Sequence, residues 1–278
     1  MRNGKFGLIG HPISHSLSPA LFKAGYGGKY TYDLIEGDDF DVAYNRFLEE
    51  YDAINVTAPF KELAIRHADE CTAECKAIGA ANILLKRDNK IIAANSDHLG
   101  VIKSVMTGLY PDKVINTLAL VVGCGGAAKA AAYAMCCCGY QVVIINRNYE
   151  KARDFAQRLE ENPQFKIQAR PLEEFRKWFR MAGAVIYTLP VAIPALEDLN
   201  KRDIRGGLLT KKNKILVEAN YKNPAFTPEM LMRMQKANPG LTYINGKEWL
   251  LHQAVGAFYA FTGEDPDLEQ MRRTISDK

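Results

Sequence analysis

The stretch LALVVGCGGAAKAAAYAM, residues 118–135, restricts the fold more than any other part of the chain. Five consecutive apolar residues suit a strand buried on both faces, the kind found at the centre of a parallel sheet. Gly123, Gly125 and Ala128 follow in a G-x-G-x-x-A pattern, and an alanine-rich run of high helix propensity comes directly after. A strand, a glycine turn and a helix in that order make an anion site: the glycines let a pyrophosphate approach the backbone, and the free N–H groups of the helix start receive it. Gly123, Gly125, Gly126 and Ala127 are therefore candidate dinucleotide contacts.

The next apolar run, QVVIIN at residues 141–146, ends in Asn-Arg-Asn, where an NAD site usually carries Asp or Glu for the ribose 2′-hydroxyl. Without a carboxylate, and with the planar guanidinium of Arg147 at hand, a 2′-phosphate meets attraction instead of repulsion. Asn146, Arg147 and Lys151 join the candidate contacts, and the expected cofactor is NADP. FKIQAR, AGAVIYTLP and KILVEANY continue the series of strands.

An earlier series precedes it: KFGLIG, YTYDLIEG, DAINVTAP and a hairpin-like pair, AANILLK and KIIAAN, about the turn RDN. Two series of strands alternating with helical stretches predict an α/β protein of two domains. SDHLGVIKSVMTGLYPDK reads as a helix leaving the first sheet and a turn, YPDK, entering the second. The apolar helix in GKEWLLHQAVGAFYAFTGE is expected to return to the first domain. The predicted division is residues 1–98 with 246–278 for a substrate domain, and 99–245 for a Rossmann-type dinucleotide domain.

The 36 Lys and Arg against 32 Asp and Glu are spread along the chain without a basic block, which disfavours nucleic-acid binding. The six cysteines lack CxxC spacing, and the adjacent Cys136, Cys137 and Cys138 read as buried small hydrophobes of a reducing compartment. The five histidines show no metal-ligand spacing, and no metal is expected. With neither a signal-peptide core nor an apolar run of membrane-spanning length, the expectation is a soluble, cytoplasmic protein with no membrane partner.

Polar residues recur beside the strands of the first series. GHPISHSLSP supplies Ser14, Ser16 and Ser18 before Pro19, AINVTAPFKE supplies Thr57 and Lys61, IGAAN supplies Asn82, and AANSDHLG supplies Asn95 and Asp97. Each reads alone as a cap, a turn or a surface residue. Together they would line one sheet edge, each standing where an apolar strand stops. Neutral hydroxyls and amides with a single lysine suit a small polyhydroxy carboxylate.

GHPISHSLSP, INVTAPFKE, IGAAN, ANSDHLG, GCGGAAKA, NRNYEKA and GKEWLLHQAVGAF, in this order and spacing, resemble the shikimate dehydrogenases. The resemblance implies a reversible NADPH-dependent reduction of 3-dehydroshikimate to shikimate in aromatic amino-acid biosynthesis, by a monomer or a homodimer. It implies Lys61 and Asp97 as the catalytic pair and Ser16 and Ser18 as the carboxylate contacts. Thr57, Asn82, Asn95 and Gln253 become partners of ring hydroxyls, and Tyr221 a tyrosine close to substrate. A lysine ammonium polarises a ketone and protonates its oxygen, so alcohol oxidation should quicken toward alkaline pH. His98 replaces the usual glycine after the aspartate, Tyr187, Ala192 and Ile193 alter a conventional loop, and Trp249 sits where methionine is frequent. Glu218 stands for the usual aspartate, with one extra residue between Tyr221 and Thr227. A quinate or dual quinate/shikimate dehydrogenase is the neighbouring reading, and a non-catalytic regulator that keeps the pocket is the reading from another class.

Overall fold

The computed structural model describes residues 4–108, 117–205 and 213–276. The chain divides into one compact unit of residues 1–100 and 251–278 and a second of residues 101–250. Each carries a six-stranded sheet. The expected turn YPDK lies outside the described residues.

In the first unit the strands are β1 (Lys5–Gly10), β2 (Thr31–Glu36), β3 (Ala53–Val56), β4 (Glu70–Cys71), β5 (Ile83–Arg87) and β6 (Lys90–Ala94). They lie in the order β2-β1-β3-β5-β6-β4. All neighbours are parallel except β5, which runs antiparallel to both β3 and β6. The reason is local: Asp88 and Asn89, with φ of 53° and 59°, form a two-residue turn whose twist suits a hairpin. One sheet face packs Ile9, Ile54, Val56 and Leu84 against Phe40, Phe47 and Tyr51. Aromatic rings gather elsewhere in this unit, with Phe22 edge-on to Phe258 at 4.7 Å and Phe6 stacked on Phe261 at 5.2 Å. Phe258 and Phe261 belong to the helix Gly246–Thr262, and these ring contacts fix its C-terminal part on the first sheet. The terminal helix Leu268–Ser276 crosses the helix Ser18–Tyr26 at Gly25, where an added Cβ would lie 2.9 Å from Pro266.

The second unit contains β7 (Leu118–Val122), β8 (Gln141–Asn146), β9 (Lys166–Pro171), β10 (Ala184–Tyr187), β11 (Lys214–Glu218) and β12 (Leu241–Ile244). All are parallel, in the order β12-β11-β10-β7-β8-β9. That is the doubly wound order of a dinucleotide-binding sheet, with its switch point between β7 and β10. Leu120, Val122, Val143, Val185 and Leu216 pack against Phe175, Trp178 and Phe179 on one face.

The cysteine reading needs correction: of the three adjacent cysteines Cys136 is buried, but Cys137 and Cys138 are exposed. Consecutive helix positions are about 100° apart, so three adjacent side chains cannot all face the sheet. Two strands, β4 and β12, were not anticipated from the sequence.

At the start of β11, Lys214 is buried, donates to the carbonyl of Phe179 and lies 4.5 Å from the Phe179 ring centre. Burial lowers its pKa to about 7, against a smaller opposing influence of Asp203. Above that pH the unfolded chain holds a proton that the folded chain lacks, so the Lys214 contribution to stability rises with pH up to the ordinary lysine value near 10.4. Urea unfolding of Lys214→Met beside the parent at pH 7, 8 and 9 should show the parent gaining about 1 kcal/mol from pH 7 to 8 and about 1.3 kcal/mol from pH 8 to 9 relative to the variant. Parallel curves would contradict a buried neutral amine.

Candidate active site

One edge of the first sheet collects the polar residues. β1 and β3 end there, and so does β6, while β5 begins there because it runs the other way. Asn82 accordingly stands just before a strand, not after one, which corrects the expectation that each polar residue follows a strand end. Asn95 follows β6 and Asp97 opens the helix Asp97–Gly108. Thr57 follows β3, its N–H tied to the Ile9 carbonyl at 2.8 Å. Lys61 opens the short helix Lys61–Ala64, and its carbonyl accepts from Ala81 at 2.8 Å, binding the lysine turn to the Asn82 turn.

Lys61 Nζ donates to Asp97 Oδ2 at 2.7 Å, with side-chain exposures of 16% and 4%. The other carboxylate oxygen accepts from Asn82 Nδ2 at 3.2 Å. Asn82 is itself held in one orientation, because the backbone N–H of Ser96 can only donate and reaches Asn82 Oδ1 at 2.7 Å. The Nδ2 group therefore faces Ser96 Oγ, Asp97 Oδ1 and Gln253 Oε1, at 3.0, 3.2 and 3.0 Å. Accepting from Asn82 turns the NH2 end of Gln253 the other way, so its donors are the part available to a ligand. Asn95 is tied by its NH2 to the Ala80 carbonyl at 2.8 Å. His98 is buried beside it, and desolvation lowers its pKa.

Ser18 begins the helix Ser18–Tyr26, whose N-cap is Leu17 with no side-chain cap bond. The two candidate serines thus do not cap it in the usual way. Ser16 Oγ instead accepts the Ser18 N–H at 3.2 Å and lies 3.2 Å from Ser18 Oγ. Asn55, inside β3, joins Tyr32 Oη at 2.8 Å to the Asn82 carbonyl at 3.0 Å.

In the second unit Gly123 has φ of +113°, and a Cβ there would lie 2.5 Å from Thr188 Oγ1. Only glycine suits this turn. Gly125 is the N-cap of the helix Gly126–Cys137, has no side-chain cap, and a Cβ on it would meet nothing within 4 Å. The helix start, with Gly126 and Ala127 in its first turn, therefore presents open backbone donors. Asn146 and Arg147 close β8, Asn146 bonded to the Asn148 carbonyl and Arg147 exposed. Lys151 is exposed in the first turn of the helix Tyr149–Glu160, which Asn148 caps. Tyr221 lies on the loop after β11, lining a cavity of about 330 Å³ with Phe226 and Tyr243.

The structure thus brings Lys61, Asp97, Asn82 and Gln253 into one hydrogen-bonded group and pairs Ser16 with Ser18. Thr57 and Asn95 share that edge. Tyr221 belongs to the other unit, with the glycine turn, Asn146, Arg147 and Lys151. Ser96, Asn55 and Tyr32 take part in the network although the sequence reading gave them no role. The one signal was polarity where an apolar strand was expected, as with Asn55.

Comparison with known proteins places these residues in a family. Residues 8–84 match the shikimate dehydrogenase substrate binding domain, 110–201 match shikimate / quinate 5-dehydrogenase, and 250–275 match the shikimate 5′-dehydrogenase C-terminal domain. A Methanopyrus kandleri protein named shikimate dehydrogenase (NADP(+)) is 30% identical over 285 residues, covering 97% of this chain and 93% of its own. The chain belongs to the shikimate dehydrogenase family. It is also 31% identical over 277 residues to the pentafunctional AROM polypeptide of Eremothecium gossypii, covering 95% of this chain but only 17% of that polypeptide's length. Shikimate 5-dehydrogenase of Thermus thermophilus, solved in complex with NADP(H) and shikimate, superposes with a TM-score of 0.77 at 27% identity, covering 99% of each chain.

Within this shikimate dehydrogenase fold, Asn82 should also matter to stability. Asn82→Ala leaves the buried Ser96 N–H without its acceptor and frees the amide of Gln253. An unfolding free energy lower by roughly 1–3 kcal/mol is expected from urea titration. A loss below about 0.5 kcal/mol would mean that Asn82 does not organise the edge.

Proposed function

We propose that the chain is an NADP-dependent shikimate dehydrogenase that interconverts 3-dehydroshikimate and shikimate, a cytoplasmic step of aromatic amino-acid biosynthesis. The observation that carries this reading is the 2.7 Å Lys61–Asp97 pair, set beside the Asn82–Gln253 amides on a polar sheet edge. The names of the relatives support it.

Reduction of a ketone adds a hydride to carbon and a proton to oxygen. NADPH, when bound, supplies the hydride. Lys61 has one N–H directed to Asp97, which leaves two to polarise the ketone oxygen and to deliver the proton. Asp97 holds the ammonium in place and is itself held by Asn82. In the oxidative direction the lysine must first lose a proton to accept one from the alcohol, so oxidation should accelerate as pH rises. Gln253 offers N–H donors to hydroxyl oxygens, while Ser16 and Ser18 offer neutral donors to the carboxylate. Thr57 and Asn95 complete the edge, and Tyr221 is assigned a place near the substrate.

The residues present fit the cofactor. The open cradle over Gly125 and the uncapped start of the helix Gly126–Cys137 suit a pyrophosphate. Arg147, exposed where no carboxylate closes β8, suits a 2′-phosphate, with Asn146 and Lys151 beside it.

Absorbance at 340 nm, with shikimate or quinate offered NADP or NAD, tests the reading. Turnover of shikimate with NADP is expected to exceed the other three combinations. No turnover with either acid would favour a non-catalytic binder, and preference for quinate would move the assignment within the family. Lys61→Ala should lower kcat by orders of magnitude with a smaller effect on KM. Arg147→Asp should shift preference from NADP toward NAD, and an unchanged ratio would remove Arg147 from the site.

A further inference from the structure

Three strand ends meet at the segment that carries the serines. Gly10 closes β1 opposite Glu36, which closes β2, and on the other side of β1 the strand β3 runs on into Thr57. A Cβ on Gly10 would lie 2.4 Å from Thr57 Cγ2 and 2.7 Å from Ile13 Cγ2. Glycine is required there because those two side chains close over it, and Ile13 is left only 3% exposed. Ile13 thus anchors the segment between β1 and the helix Ser18–Tyr26 at the same edge as Thr57. Its backbone N–H needs an acceptor in that packed place, and Glu36 Oε1 supplies one at 3.0 Å. The bonds then run outward along the segment. The Ile13 carbonyl accepts the Ser16 N–H at 2.8 Å, and Ser16 Oγ accepts the Ser18 N–H at 3.2 Å. An oxygen held by a backbone donor keeps its place while its own proton can still turn toward a ligand.

We infer that Glu36 is a positioning residue for the substrate carboxylate: through the Ile13 peptide it sets where Ser16, and with it Ser18, meets the acid. Two effects of the Glu36 side chain oppose each other. As an acceptor it orders the segment, and an anionic oxygen holds an N–H more firmly than a neutral one. As a charge at the same sheet edge it repels an anion. Glu36 is exposed, so water and salt weaken that repulsion, while the bond to Ile13 acts at contact distance. The acceptor therefore outweighs the charge. This inference rests on the proposed assignment of Ser16 and Ser18 to the carboxylate.

The test uses the full chain with Glu36→Ala, Glu36→Gln, Ser16→Ala, and Glu36→Ala combined with Ser16→Ala. Shikimate Kd is read by calorimetry, and kcat and KM by NADP-linked turnover. Glu36→Ala should raise Kd and KM by roughly three- to tenfold, the range of one hydrogen bond, with kcat within about twofold of the parent. Glu36→Gln keeps an oxygen acceptor of the same reach and loses the charge, so its Kd should stay within about twofold of the parent or tighten. In the Ser16→Ala background the cost of Glu36→Ala should shrink to less than about twofold, because the bonds run through Ser16. A purely structural role would lower stability and the fraction of active enzyme, which moves the apparent kcat and leaves KM where it was. Folded Glu36→Ala that binds as well as the parent, Glu36→Gln as weak as Glu36→Ala, or an equal cost in both backgrounds overturns the inference while leaving the dehydrogenase assignment standing. Binding without turnover in the parent chain would overturn that assignment and leave the Kd cycle to decide the inference. No binding by the parent chain would overturn both.

Discussion

The arrangement of the first unit depends on keeping an ammonium and a carboxylate together in a largely dry place. Removing two charges from water is costly, and such a pair repays that cost only with close contact and further hydrogen bonds. Lys61 and Asp97 meet both conditions, at 2.7 Å and with Asn82 on the second carboxylate oxygen. Asp97 also stands in the first turn of its helix, where the helix dipole favours a negative charge. Lys61 gains nothing comparable, since it opens a four-residue helix at the end that disfavours a cation. The lysine is thus held by its partner and by the turn geometry, and its position makes better sense as chemistry than as stabilisation.

Why the neighbouring groups are amides follows from the same constraint. Charged neighbours would compete for the ammonium or repel it, whereas a primary amide donates and accepts at fixed ends without changing charge. Asn82 uses this twice, accepting a backbone N–H and donating toward the carboxylate and Gln253. Through that last bond the C-terminal helix, some 170 positions later in the chain, becomes part of the site. The return of this helix to the first sheet, secured by Phe258 and Phe261, is therefore a requirement of the site and not only of the core.

The α/β class, the glycine turn and most strands were legible because their signals are local: apolar runs such as LALVV and QVVIIN, a positive-φ turn at Asp88 and Asn89, glycines before a helix. β4 and β12 were not, because two and four residues are too few to establish a period, and Thr242 and Tyr243 interrupt the second. The recurrence of polar residues at one edge was legible, but the sense of β5 was not drawn from it. The roles of Ser96 and Tyr32 had no local signal, and Asn55 showed only as a polar residue inside an apolar strand. Each is defined by a partner distant in the chain or by a backbone group, and bond direction becomes readable only once both ends are in place.

Around Tyr221 the groups that depart from the resembling pattern are hydrogen-bonded in place. Glu218 stands where the resemblance leads to an aspartate, one methylene shorter, and to a loop from Tyr221 to Thr227 one residue shorter. The longer acid reaches across the longer loop: one carboxylate oxygen accepts from the Ala225 N–H, the other from Tyr243 Oη at 2.7 Å. Burial raises the Glu218 pKa while these donors oppose the rise, so the group is satisfied in place. Asn220 adds bonds to the Pro190 and Asn223 carbonyls and accepts from the Lys222 and Asn223 N–H groups. Tyr187, the other conspicuous departure, is buried with its hydroxyl on the Val191 carbonyl at 2.7 Å and its ring edge-on to Phe226. Glu218, Asn220 and Tyr187 thus each close a hydrogen bond that shapes the Tyr221 loop or the one beside it.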